Sequence, residues 1–195
     1  MTAVKPTPVG RHSLRLKGYD YSQAGGYFVT LVTQLREPFF GKISEEELKF
    51  NDAGRMINIE WESLPERFPN IEVDVFQVMP NHLHGIIIIN NPDLVGAGLV
   101  PAPARRATTR VAPTPAQTSA PTLGRIVGVF KSITTHKYIQ GVDEFGWPVF
   151  KKRLWQRNYY EHVVRDQTDY ERIAGYILSN PLTWEQDEEY FPQKE

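Results

Sequence analysis

Residues 78–89 read Val-Met-Pro-Asn-His-Leu-His-Gly-Ile-Ile-Ile-Ile. Side chains alternate faces along a strand, so His82 and His84 project together. Two neutral imidazoles on one strand face make half of a metal site. The same pattern also suits two hydrogen-bonded core histidines. The other histidines, His12, His136 and His162, have no comparable arrangement. Far downstream, Gly175-Tyr176-Ile177-Leu178-Ser179-Asn180 sets a tyrosine and an amide four residues apart, on one helical face. Laid over the sheet, that helix could bring Asn180 Oδ1 near the histidine pair, with Tyr176 one turn away. A tyrosine hydroxyl (pKa ~10) is a poor nucleophile until a cation stabilises the phenolate or polarises its target. Taken singly, Tyr176 also reads as a packed aromatic and Asn180 as a helix-ending residue.

Composition narrows what such a site can hold. The 195 residues include no cysteine, which excludes disulfides, thiolate zinc sites, iron–sulfur clusters and cysteine nucleophiles. Any metal must be held by His, carboxylate or amide groups. The net charge of −1 hides a partition. Residues 101–165 carry eleven basic and three acidic groups, and residues 166–195 carry two basic and eight acidic. A basic segment of that kind is the footprint of a polyanion-binding surface, or a solvated face balanced by an acidic tail. Within it, Arg125, Lys131, Lys151, Lys152, Arg153 and Arg157 interleave with aromatics, a pattern that can track a phosphate backbone while stacking bases. The longest apolar run, Ile86 to Ile89, is far short of the ~18 residues of a membrane helix. The expectation is a soluble, cytoplasmic protein with no membrane partner.

The elements that must position these residues follow from pattern. Residues 1–10, with Pro6, Pro8 and Gly10, are expected to be disordered. Residues 27–33 read as a first strand after Gly25-Gly26, and 39–43 with 48–50 as a small hairpin. A helix should start at Asn51 or Asp52 and stop at Pro65. Strands are expected at 72–79 and 82–90. Residues 91–122 hold six Pro and seven Ala with no period, and read as a flexible insertion. A second helix is expected at 123–140 and an aromatic-rich strand pair in 147–164. A third helix should open on the capping box Thr168-Asp169-Tyr170-Glu171 and end at Asn180-Pro181. From Glu185 on, the acidic tail (185–195) is expected to be mobile. Strands with helices between them give an α+β fold, an antiparallel sheet with helices packed on one face.

Pro80-Asn81-His82-Leu83-His84-Gly85 resembles the His-hydrophobic-His signature of HUH single-strand nucleases. Tyr176-Ile177-x-x-Asn180 resembles the tyrosine helix of the single-tyrosine, insertion-sequence-200-like transposases. Gly18-Tyr19-Asp20-Tyr21, Phe130-Lys131-Ser132, Leu154-Trp155-Gln156-Arg157-Asn158-Tyr159-Tyr160 and Asn180-Pro181-Leu182-x-Trp184 resemble REP-associated tyrosine transposases. The resemblance covers residues 11–184 apart from the insertion, and implies an HUH, ferredoxin-like sandwich. It implies His82, His84 and Asn180 as ligands of Mg²⁺ or Mn²⁺; Asn stands where shorter relatives have Gln, one methylene longer. It implies Tyr176 as nucleophile, forming a 5′-phosphotyrosine link and freeing a 3′-hydroxyl on single-stranded DNA beside a REP-like hairpin. Tyr159, Tyr160 and Tyr170 are chemical rivals, but none precedes an amide by four residues on that helix. Monomer and homodimer both stay open, because in some relatives the tyrosine helix acts across a dimer. Cleavage should fade below about pH 6 as ligand histidines (pKa ~6.5) protonate. The alternatives are a domesticated, non-catalytic hairpin-binding protein, a histidine-triad hydrolase, which Ile86 disfavours, and a general RNA-binding module.

Overall fold

Tyr27-Phe-Val-Thr-Leu-Val32 and Leu83-His-Gly-Ile-Ile-Ile-Ile89 are the most strand-prone stretches of the chain, and they pair at the centre of the sheet. The computed structural model describes residues 18–44, 47–90 and 121–190. In chain order the elements are β1 (Gly25–Val32), β2 (Gly41–Ser44), β3 (Glu47–Phe50), α1 (Asp52–Glu62), α2 (Leu64–Arg67), β4 (Ile71–Val78), β5 (His82–Ile89), α3 (Leu123–Phe145), β6 (Tyr160–Val164) and α4 (Gln167–Ser179). Short 3₁₀ turns lie at Gln34–Arg36 and Trp184–Gln186. The N-terminal segment 1–10, the basic stretch 11–17, all but the last two residues of the 91–122 insertion, and 191–195 lie outside the described residues.

The main sheet is antiparallel, in the order β4-β5-β1-β6, and β2–β3 form a separate hairpin. The fold is therefore α+β, as the sequence implies. The helices, however, cover both faces of the sheet rather than one. Odd-numbered residues of β1 and β5 (Tyr27, Val29, Leu31; Leu83, Ile87, Ile89) pack with Ile57 and Trp61 of α1 and with Ile126 and Phe130 of α3. Even-numbered Phe28 and Ile86 pack with Ile173 and Ile177 of α4. Both central strands are apolar on both faces, so each face needs a cover. Gly85 lets Trp61 approach: a Cβ there would sit 2.6 Å from the Trp61 ring.

Four local expectations differ from the structure. Pro65 does not merely stop α1; it sits in the first turn of α2, where its fixed φ suits a helix start. α4 is capped by Asp166, whose side chain accepts from the Asp169 amide at 2.9 Å, and Thr168 falls inside the first turn. Within 147–164 only β6 forms a strand. Trp147 and Phe150 turn onto Tyr138 instead, and the segment meets the end of β1 through the Thr33–Trp155 bridge and through the Gln156 amide, which donates to the Val32 carbonyl at 2.9 Å. Gly146 in the left-handed region ends α3, five residues beyond the expected limit.

Candidate active site

His82 and His84 open β5 on the α4 side, fully buried, with ring centroids 4.4 Å apart. The Asn81 amide sets the first ring. Its Nδ2 donates to the carbonyls of Arg36 and Glu189, so its Oδ1 faces His82 Nδ1 at 2.9 Å and takes that proton. Nε2 of His82 then carries the lone pair, and it is buried with no hydrogen-bond partner among the described residues. Thr30, the β1 partner of His84 in the register, holds His84 Nδ1 at 2.9 Å. Nε2 of His84 faces the Tyr176 hydroxyl at 3.2 Å. Burial first, then the neighbouring His84, pulls the His82 imidazole well below its ordinary value, against opposing pulls from Asp187 and Asn180. His82 is a neutral donor at ordinary pH.

Ile173 and Ile177 fix the rotation of α4 by packing on Phe28 and Ile86. That phase turns Tyr176 and Asn180 towards the histidines. The Tyr176 ring lies 5.1 Å from His84 and is 40% exposed, so a substrate can reach it. Asn180 caps the helix and is fully buried; its Nδ2 donates to Asp187, and its Oδ1 has no partner among the described residues. An unsatisfied buried polar atom costs about 1–3 kcal/mol. Two such acceptors in one site are groups that a cation could satisfy.

Asp187 is the residue that the sequence reading missed. The acidic tail, expected to be mobile from Glu185, is folded to Tyr190. Trp184 packs against His82 with ring centroids 5.7 Å apart and meets Tyr190 edge-on at 5.3 Å. Asp187 Oδ2 accepts from the Tyr176 hydroxyl at 2.9 Å and lies 3.6 Å from His84 Nε2. Ligand atoms of His82, His84 and Asp187 lie within 4.8 Å of one another. Burial pushes the Asp187 carboxyl up, but hydrogen bonds with His84 and Asn180 and the nearby His82 hold it well below the usual range. Burial and then the Asp187 carboxylate push the Tyr176 phenol above its ordinary value. At rest Tyr176 is a protonated phenol bonded to a carboxylate. Trp184 was a usable signal, since a large apolar residue demands cover; Asp187 sits unmarked in an acidic run.

Next to the site, the turn after β1 holds two consecutive left-handed residues, Leu35 (φ 62°) and Arg36 (φ 58°). Each costs about 1–2 kcal/mol for a residue with a Cβ. Arg36 Nε donates to Glu189 Oε2 at 2.6 Å, and the Arg36 side chain is 44% exposed. Such an exposed pair returns about 0–1 kcal/mol, less than the strain.

The basic residues gather elsewhere. Lys131, Lys152, Arg153 and Arg157 line a cavity of about 530 Å³ between α3 and the 150–157 loop. Lys131 ties that loop to α3 by donating to the carbonyls of Gln156 and Asn158, and burial lowers its pKa to about 8. Arg125 and Lys151 are exposed outside the cavity lining.

No protein-family model matches the chain. An uncharacterized protein of Haemophilus influenzae is 38% identical over 180 residues, spanning 92% of this chain and 93% of that protein. The chain belongs to that protein's family. Among solved structures, a REP-associated tyrosine transposase bound to a REP hairpin aligns at TM-score 0.54 with 16% identity, over 91% of this chain and 88% of the other. A transposase candidate from Deinococcus radiodurans aligns at TM-score 0.45 with 14% identity, over 85% and 95%. The fold is that of the REP-associated tyrosine transposase, as the motifs in the sequence imply. No helix among the described residues is long and apolar enough to cross a membrane.

Proposed function

We propose that this protein is a metal-dependent single-strand DNA transesterase that cuts and rejoins DNA beside hairpins through a 5′-phosphotyrosine intermediate. One observation carries the reading: the orphaned acceptors His82 Nε2 and Asn180 Oδ1 lie beside His84, within a turn of the Tyr176 hydroxyl. His82, His84 and Asn180 would hold Mg²⁺ or Mn²⁺, which when bound polarises a non-bridging oxygen of the scissile phosphate. Asn81 and Thr30 fix the imidazole orientations, as outer partners of ligating histidines do. Tyr176 Oη attacks phosphorus in line and passes its proton to Asp187 along the existing hydrogen bond. The bond to the 3′ oxygen breaks, that oxygen takes a proton from solvent, and Asp187 returns its own to water. One phosphodiester is exchanged for another, so rejoining needs no ATP. Lys151, Lys152, Arg153, Arg157 and Arg125 would hold the hairpin through its phosphates, with Lys131 shaping the loop that presents them. The transposase sharing the fold was solved with a REP hairpin, and hairpin DNA of that class is the proposed substrate.

A second reading has a specific observation behind it. Asp187 stabilises the phenol form of Tyr176, as suits a hairpin-binding protein that no longer cleaves. One assay separates the two. The protein is incubated with labelled hairpin DNA carrying a single-stranded flank and Mn²⁺, and a denaturation-resistant adduct is sought. The transesterase reading expects an adduct in wild type and none in Tyr176→Phe, with hairpin binding retained; no adduct in wild type supports the binder. Asp187 is also a rival to Asn180 in the ligand set, since its carboxylate lies within 4.8 Å of both histidine donors. Mn²⁺ titrations of Asn180→Ala and Asp187→Ala decide which variant loses the metal.

A further inference from the structure

The site described so far has acids in plenty and few cations. Asp187, Glu188 and Glu189 all act on Tyr176, whereas the proposed ligands are two imidazoles and an amide, none of them an anion. A phosphodiester brings one negative charge, and its transition state gathers more on the same oxygens. Arg36 is placed to answer that charge. Its strained turn is bolted to the site: Asn81 Nδ2 donates to the Arg36 carbonyl at 3.1 Å while Asn81 Oδ1 orients His82. Thr33 Oγ1 closes the turn by donating to the Glu37 carbonyl at 2.8 Å. The charge on Arg36 reaches His82, and Glu189, its present partner, donates its amide to Asp187 Oδ1 at 2.6 Å. An exposed ion pair with Glu189 does not account for two left-handed residues in a row, which persist where surrounding structure enforces them and often mark function.

We propose that Arg36 is a phosphate clamp of this site, its guanidinium exchanging the Glu189 carboxylate for non-bridging oxygens of the phosphodiester being cut. Guanidinium geometry matches two phosphate oxygens at once, which an ammonium does not. The clamp rests on the transesterase reading for its kinetic test and stands apart from it for its binding test.

The experiment compares wild type, Arg36→Ala, Arg36→Lys and Glu189→Gln, all as the full chain, on the hairpin substrate with Mn²⁺. Arg36→Ala should lower the adduct-forming rate at saturating DNA by about 100-fold, as loss of one charge-stabilising donor does. Arg36→Lys should recover part of it, and free guanidinium ion in the buffer should partly restore Arg36→Ala. Glu189→Gln breaks the same ion pair and should react at least as fast as wild type. Equal losses in Arg36→Ala and Glu189→Gln, or no guanidinium rescue in a variant that melts like wild type, would overturn the clamp. Should wild type form no adduct, the transesterase reading fails and binding still decides the clamp. With single-stranded DNA in EDTA, followed by fluorescence anisotropy, Arg36→Ala should reduce the slope of log affinity against log salt by about 0.7, one phosphate contact. An unchanged slope would overturn it.

Discussion

On the α1–α3 side of β5, Leu83, Ile87 and Ile89 join a core that includes Trp61, Phe130 and Tyr138. On the α4 side the same strand presents His82, His84 and Ile86, and the buried apolar cluster there is Phe28, Ile86, Ile173 and Ile177. One face is apolar and closed. The other is thin, and its buried polar groups include two acceptors without partners. The alternation of a single strand thus divides labour: Leu83, Ile87 and Ile89 hold the fold, and His82 and His84 face the candidate site. The cost of polar burial is carried by the thin face, which leaves the thick face to supply most of the stability.

Stability measurements can break that division, beginning with the largest effect. Trp61→Ala should cost about 3–5 kcal/mol in denaturant unfolding, and Ile177→Ala should fall near 2 kcal/mol, the low end for a buried aliphatic. Equal costs at the two sites would mean that the faces share the load. Gly85→Ala places a Cβ 2.6 Å from the Trp61 ring and should cost about 1–3 kcal/mol through overpacking.

The next effect depends on pH. His82 has a folded pKa below its unfolded value of 6.5, so below pH 6.5 the unfolded chain binds the extra proton and stability falls as pH falls. The loss should approach about 1.4 kcal/mol per pH unit, measured without metal, and His82→Gln should flatten that share of the slope. Burial also moves the expected acid limit of cleavage downwards: His82 resists protonation to a lower pH than the free imidazole, so its own share of the fade should appear below pH 6. Tyr176→Phe should have the smallest effect on the fold, about 1 kcal/mol, the net worth of the hydrogen bond that its hydroxyl donates to Asp187. A large loss there would make Tyr176 a structural residue.

Much of this was legible in the sequence, because the signals were local. The alternation at 82–84 and the four-residue step from Tyr176 to Asn180 each follow from one element's geometry, and the fold needs only to bring two faces together. Segments without a period were harder. Residues 147–159 carry strand-prone aromatics, yet Gly146, Pro148 and three consecutive cations keep them out of the sheet. Asp187 was hidden because its role depends on Trp184 docking on His82, a long-range packing event with no local signature. Arg36 was hidden for a similar reason: nothing in Gln34-Leu35-Arg36 announces left-handed backbone, which Asn81 and Thr33 impose from outside.

The claim that the thin face does chemistry comes down to where a covalent bond forms. Wild-type protein reacted with the hairpin substrate and Mn²⁺ can be digested with trypsin and read by mass spectrometry. The rival tyrosines fall on separate peptides: Tyr159 and Tyr160 on residues 158–165, Tyr170 on 166–172, and Tyr176 on 173–194. The account predicts the nucleotide mass on 173–194, with fragmentation placing it at Tyr176. The same mass on 158–165 or 166–172, or on Tyr190 within 173–194, would contradict it.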